Sequence, residues 1–226
     1  MRSFLVCIAL LINFLNLSAQ QEDRTMKDWA QFSRYEVANQ SVKSPKAVLM
    51  GDSITDRWAK TDKTFFDFYD FVGRGISGQT TPQMLTRFRR DVLELKPKMV
   101  IILAGTNDIA RNTGYISLEN IFGNIVSMCE LAKLHKIQPV ICSVLPVQKY
   151  PHRDNIQPAD MVIELNEMLK AYAKKNKYIY VDYHTVLKDE YNGLPTKYTQ
   201  DGLHPNKECY KVMKEVLLDA LLLLSK

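Results

Sequence analysis

Five short apolar runs, Ala47–Met50, Phe71–Ile76, Met99–Ala104, Val140–Leu145 and Tyr178–Val181, alternate with stretches whose apolar residues recur at helical spacing. This alternation constrains the fold more than any other feature. Runs this apolar lack the polar alternate positions of a half-exposed strand, so they need cover on both faces. Parallel strands joined by right-handed helical crossovers supply that cover. The expected architecture is therefore α/β, a three-layer α/β/α sandwich with a five-stranded parallel sheet. Among the helices, Thr81 reads as an N-cap with Pro82 at the first helical position, followed by Leu85, Phe88, Val92 and Leu95. Ser117 opens a second helix with Ile121, Ile125, Cys129 and Ala132 on one stripe, and Met161, Leu165, Met168 and Tyr172 mark a third. The last is expected to begin at Pro205 and carries Met213, Val216, Leu217, Ala220, Leu221 and Leu224.

A second signal lies at the start of the chain. Met1-Arg2-Ser3 is a basic head, Phe4 to Leu17 an apolar stretch, and Leu17-Ser18-Ala19 a small-residue cut site before the polar Gln20-Gln21-Glu22. Residues 1–19 are expected to be a cleaved signal peptide, since the apolar stretch is shorter than the ~20 residues that span a bilayer. Residues 20–226 then form a single domain, exported to the periplasm or beyond the cell, with no stable membrane anchor. No linker-like stretch or internal repeat divides it. A composition of 46% hydrophobic and 24% charged residues excludes a disordered chain and a polytopic membrane protein. The net charge is only +5, with lysines scattered along the chain, so no nucleic-acid partner is expected. Without the leader, Cys129, Cys142 and Cys209 remain, enough for at most one disulfide; Cys129 and Cys142 read as small core residues. His135, His152, His184 and His204 show no metal-ligand spacing, and neither metal nor cofactor is expected.

Four motifs stand just after predicted strands. They are Gly51-Asp52-Ser53, Gly75-Ile76-Ser77-Gly78, Gly105-Thr106-Asn107-Asp108 and Asp201-Gly202-Leu203-His204-Pro205. Parallel sheets bind ligands outside the carboxyl ends of their strands, so Ser53, Gly78, Asn107, Asp201 and His204 converge on one rim. A serine hydroxyl needs a base to become a nucleophile, and an imidazole can serve at neutral pH. His204 is the candidate base, and Asp201, three residues earlier, can fix its tautomer and stabilise the imidazolium. A tetrahedral intermediate also needs preorganised donors for its oxyanion. The candidates are the Ser53 N–H, the Gly78 N–H and the Asn107 side-chain amide.

These blocks resemble the SGNH (GDSL) hydrolase family over Ala47 to Tyr210. The resemblance implies a flavodoxin-like sheet, Ser53 as nucleophile, Gly78 and Asn107 in the oxyanion hole, and Asp201 with His204 completing the triad. Gly51-Asp52-Ser53-Ile54-Thr55 lacks the second glycine of the G-x-S-x-G elbow, which disfavours the other large serine-esterase fold. Family members often carry Gly-Tyr where this chain has Cys209-Tyr210, leaving Cys209 either a reactive thiol near the rim or a buried, inert one. The function expected is hydrolysis of short acyl esters, O-acetyl groups on carbohydrates, with a small-molecule or carbohydrate acyl ester as substrate; the sequence leaves the oligomeric state open. The alternatives are a lysophospholipase or thioesterase for longer acyl chains and, from another class, a non-catalytic glycan-binding module. The Pro146–Pro158 segment, with Tyr150, His152, Arg153 and Asn155, and the aromatics Trp58, Phe65, Phe66 and Tyr69 are candidate pocket walls or packing beneath loops.

Overall fold

The computed structural model describes residues 28–151, 153 and 155–222. The expected signal peptide and His152 lie outside them. Five parallel strands, β1 (Ala47–Gly51), β2 (Phe71–Gly75), β3 (Met99–Leu103), β4 (Gln138–Cys142) and β5 (Ile179–Val181), form one sheet in the order β2-β1-β3-β4-β5. The helices are α1 (Glu36–Ser41), α2 (Ser53–Thr61), α3 (Lys63–Tyr69), α4 (Thr81–Phe88), α5 (Thr106–Ile109), α6 (Leu118–Leu134), α7 (Pro158–Asn176), α8 (Tyr183–Leu187) and α9 (Lys207–Leu222).

Strand residues alternate between two cores. Val48, Met50, Val100, Ile102 and Ile141 face α4, α6 and α7, where Met84, Phe88, Ile121, Ile125 and Leu165 meet them. Leu49, Ile101, Leu103, Val140 and Val181 face the other way, onto Ile54, Trp58, Phe65, Phe66, Met213 and Leu217 of α2, α3 and α9. Burying a side chain of this size contributes roughly 1.5–3 kcal/mol, so both faces of the sheet hold the sandwich together. The layered fold expected from the sequence is the one observed.

Strand ends differ from the apolar runs by a residue or so, and at three boundaries the difference has a reason visible in hydrogen bonds. β4 ends at Cys142, although the apolar run continues to Leu145. Beyond it, the Asn166 side chain satisfies both the N–H (2.7 Å) and the C=O (3.0 Å) of Val144, letting irregular backbone stay buried. Thr80, not Thr81, caps α4: the Thr80 N–H donates to Gln83 Oε1 (3.1 Å), whereas the N–H and hydroxyl of Thr81 both go to Asp108. The last helix starts at Lys207 because the Asn206 N–H donates to Tyr198 O (2.8 Å) while Asn206 Oδ1 accepts from the Cys209 N–H (3.0 Å), which makes Asn206 the cap.

Order 2-1-3-4-5 reverses direction between β1 and β3, which opens a crevice at their carboxyl ends. In the sheet register Gly51 lies level with Gly75 on one side and Leu103 on the other. The first turn of α2 rests on that row. A Cβ on Gly75 would come within 2.2 Å of the Asp56 N and 2.6 Å of the Asp52 O. Glycine at the strand end thus admits the turn that carries Ser53.

Candidate active site

Asp52 ends the β1 motif as N-cap of α2, its Oδ1 accepting from the Ile54 N–H at 2.9 Å. Ser53 follows as the first helical residue, 8% exposed, and its own N–H belongs to the donors that a helix N-terminus leaves without an intrahelical acceptor. The partial positive charge of that terminus favours negative charge at this point.

His204 reaches Ser53 from the loop before α9. Its Nε2 lies 3.1 Å from Ser53 Oγ, and its Nδ1 lies 2.6 Å from Asp201 Oδ2. A carboxylate can only accept there, so Nδ1 carries the proton and Nε2 is left to accept from the serine. Asp201 Oδ1 in turn accepts from the N–H groups of His204 (2.8 Å) and Leu203 (3.0 Å) and from the Thr199 hydroxyl (3.1 Å). Partial burial alone would raise the Asp201 carboxyl, but the His204 and Leu203 donors and the imidazole outweigh it and hold it well below the usual carboxylate range.

Gly78 and Asn107 meet across the crevice. Gly78, in the turn after β2, has φ +81°, a conformation that suits glycine. The Asn107 amide donates one N–H to Gln79 O (3.0 Å), and its second N–H has no partner among the described residues. Asn112 ties the two turns together by donating to Asn107 Oδ1 (2.9 Å) and Gly78 O (3.2 Å). Ser53, His204 and Asp201 thus form one hydrogen-bonded chain, and Gly78 and Asn107 form a second group on the neighbouring loops.

The GDSL-like lipase/acylhydrolase family model matches residues 49–212, the span that holds all five of these residues. The chain belongs to that family. Among solved structures, a GDSL-like lipase from Bacteroides thetaiotaomicron VPI-5482 is 42% identical, with a TM-score of 0.83 over 85% of this chain and 98% of that one. A protein of Bacteroides fragilis NCTC 9343 assigned to the acylhydrolases is 41% identical, with a TM-score of 0.86 over 89% of this chain and 100% of that one. The uncharacterized lipoprotein YqeF of Bacillus subtilis (strain 168) is 37% identical over 81 residues, 34% of this chain and 33% of that protein. The chain spans between 33% and 39% of the length of the curated relatives it matches.

Several supporting residues escaped the sequence reading. Arg87, fully buried, donates to Gln79 Oε1 (2.6 Å), Asp91 Oδ2 (2.8 Å), Gly51 O (3.2 Å) and Arg74 O (2.9 Å). It therefore clamps the ends of β1 and β2, from which the Ser53 and Gly78 loops spring. Asp108 accepts from the Thr81 N–H and hydroxyl, and burial pushes its carboxyl up to about 6. The visible signal for Arg87 was a charge inside the apolar stripe of α4 with an acid four residues on.

Of the candidate pocket walls, the aromatic residues resolve as packing. Trp58 stacks between Phe65 and Tyr210, with Phe66 edge-on, inside the core. Tyr69 packs against Phe65 and Phe71. Tyr150 is buried beneath the Asn107 loop, donating its hydroxyl proton to Thr106 O (2.9 Å), while Arg153 and Asn155 are exposed. Cys129, Cys142 and Cys209 are free and buried, and burial pushes the Cys209 thiol up to about 12, which removes the reactive-thiol alternative.

Proposed function

We propose that this chain hydrolyses short acyl esters, O-acetyl groups on carbohydrates, through an acyl-enzyme on Ser53. The observation that carries the reading is the hydrogen-bonded chain Ser53 Oγ, His204 Nε2, His204 Nδ1, Asp201 Oδ2 at 3.1 and 2.6 Å. In this reading Nε2 takes the serine proton as Oγ attacks the ester carbonyl, and Asp201 stabilises the imidazolium. The N–H groups of Ser53 and Gly78 and the free N–H of Asn107 hold the oxyanion. Collapse breaks the ester C–O bond, and the imidazolium protonates the departing alcohol. Water then attacks the acyl-serine, giving its proton to His204, and the carboxylic acid leaves with Ser53 regenerated.

Export through cleavage after residue 19 belongs to the same reading, supported by the basic-apolar-small pattern of residues 1–19 and by similarity to a lipoprotein. Among the described residues no helix is long and apolar enough to cross a membrane. Amino-terminal sequencing of exported material should begin near Gln20.

The test of the activity is kcat/KM for p-nitrophenyl esters from acetyl to octanoyl, with Ser53→Ala as background. The reading expects acetyl to be preferred, with a steep loss beyond four acyl carbons. A preference for octanoyl would move the substrate to lysophospholipids or thioesters. No rate above the background would overturn the esterase reading in favour of a binding module.

A further inference from the structure

A groove of about 470 Å³ opens beside His204, between α2 and the start of α9, within the ~300–1,000 Å³ range of ligand clefts. Its wall includes Arg57, Lys207, Asp201, His204, Asn206 and Tyr210, but not Ser53, Gly78 or Asn107. The groove therefore touches the triad at His204, whose Nε2 lies 3.1 Å from Ser53 Oγ, and not at the oxyanion donors. The imidazole side belongs to the alcohol half of an ester, because the imidazolium must reach the departing oxygen.

The charges in the groove are unevenly satisfied. Asp201 is engaged by four donors, as described above. Lys60, also on the wall, is paired with Asp56 at 2.8 Å. Arg57 and Lys207 are exposed, and no carboxylate pairs with either among the described residues. Arg57 sits one turn after Ser53 on α2 and lines the groove. Lys207 opens α9 three residues after His204. Two uncompensated cations beside the leaving-group position form a receptor for negative charge, and a guanidinium fork matches the paired oxygens of a carboxylate or phosphate.

We infer that this groove is a subsite for an anionic group on the alcohol half of the substrate, so that the ester cleaved is that of an acidic sugar. The inference rests on the acyl-enzyme reading above and adds to it the charge of the substrate. The Tyr210 ring gives the groove an apolar floor, while the Asn206 amide on its wall is held by the Cys209 N–H and Lys197 O.

The test compares kcat/KM for a mono-O-acetyl methyl glucuronoside, its neutral methyl glucoside counterpart and a mono-O-acetyl glucose phosphate. The expected result is a preference of about tenfold for the uronate over the neutral sugar at low ionic strength, residing in KM and shrinking in high salt. Arg57→Gln and Lys207→Gln should each reduce the uronate-to-neutral ratio about threefold, and the double variant should bring it near one. Both side chains are exposed, and unchanged melting curves would show that the variants are folded. A phosphate preferred over the uronate would support the subsite and identify its anion. Equal rates for charged and neutral sugars, or a ratio untouched by the double variant, would overturn the inference while leaving the esterase reading intact. No turnover of any of the three above the Ser53→Ala background would instead overturn that reading.

Discussion

The Asp52 carboxyl makes the stability of this fold depend on pH in an unusual direction. Asp52 is buried at the N-terminus of α2, and burial raises its carboxyl from 3.8 to about 7, helped by the nearby Asp108 and opposed by the Ile54 N–H. Below pH 4 it is protonated in both folded and unfolded chains. Between pH 4 and 7 the unfolded chain gives up this proton while the folded one keeps it, so unfolding is increasingly favoured as pH rises. At about 1.4 kcal/mol for each tenfold change, the accumulated cost is on the order of 4 kcal/mol and is constant above pH 7. Asp52→Asn keeps the oxygen that accepts from the Ile54 N–H, ranks equally as an N-cap and cannot ionise. Urea unfolding of both proteins from pH 4 to pH 8 reads the effect, because titrating groups distant from Asp52 nearly cancel in the difference, leaving Asp52 with its coupled neighbour Asp108. The variant should gain stability relative to the parent across this range by about 4 kcal/mol. A difference that stays flat with pH, or moves the other way, would refute the assignment of a protonated Asp52.

Four further outcomes are expected. Arg87→Met, which leaves Asp91, Gln79 and two strand-end carbonyls without their buried donor, should cost about 3–5 kcal/mol in urea unfolding; less than 1 kcal/mol would show that the clamp is not structural. Asn107→Ala should lower kcat by about 10²–10³ with little change in KM, and an unchanged kcat would remove it from the oxyanion hole. Because Asp201 remains ionised well into acid, Asp201→Asn should lower kcat by about 10⁴ at neutral pH, and a loss under tenfold would show that it does not orient His204. Thiol titration with Ellman's reagent should detect no reactive cysteine in the folded mature protein; rapid labelling of Cys209 would contradict its burial.

What could be read from the sequence divides along physical lines. Strands and core helices announce themselves through burial, which imposes a period on the apolar residues, and all five strands lie where their apolar runs stand. The motif residues stood out because each follows a strand-end glycine or turn, Gly51-Asp52 before Ser53 and Gly202 between Asp201 and His204, and the fold brings Ser53, His204 and Asp201 into one hydrogen-bonded chain. The supports were not legible, because they arise from contacts between residues far apart in the chain. Nothing local distinguishes Asn166, which satisfies the backbone beyond β4, from a surface asparagine on α7. Arg87 carries only the weak signal of an acid four residues on until the fold surrounds it with strand-end carbonyls. The aromatic residues around Trp58 carry the same uncertainty, since a ring that packs beneath a helix and one that lines a cleft look alike in sequence.

The central claim is that Ser53 carries the acyl group. Rapid quenching of the mature protein with p-nitrophenyl acetate, followed by peptide mass spectrometry, tests it most directly. The account predicts a burst of p-nitrophenol and a single acetyl group on the peptide that contains Ser53, with neither in Ser53→Ala. Steady turnover with no acetyl on Ser53, or a Ser53→Ala variant that turns over at a comparable rate, would contradict it.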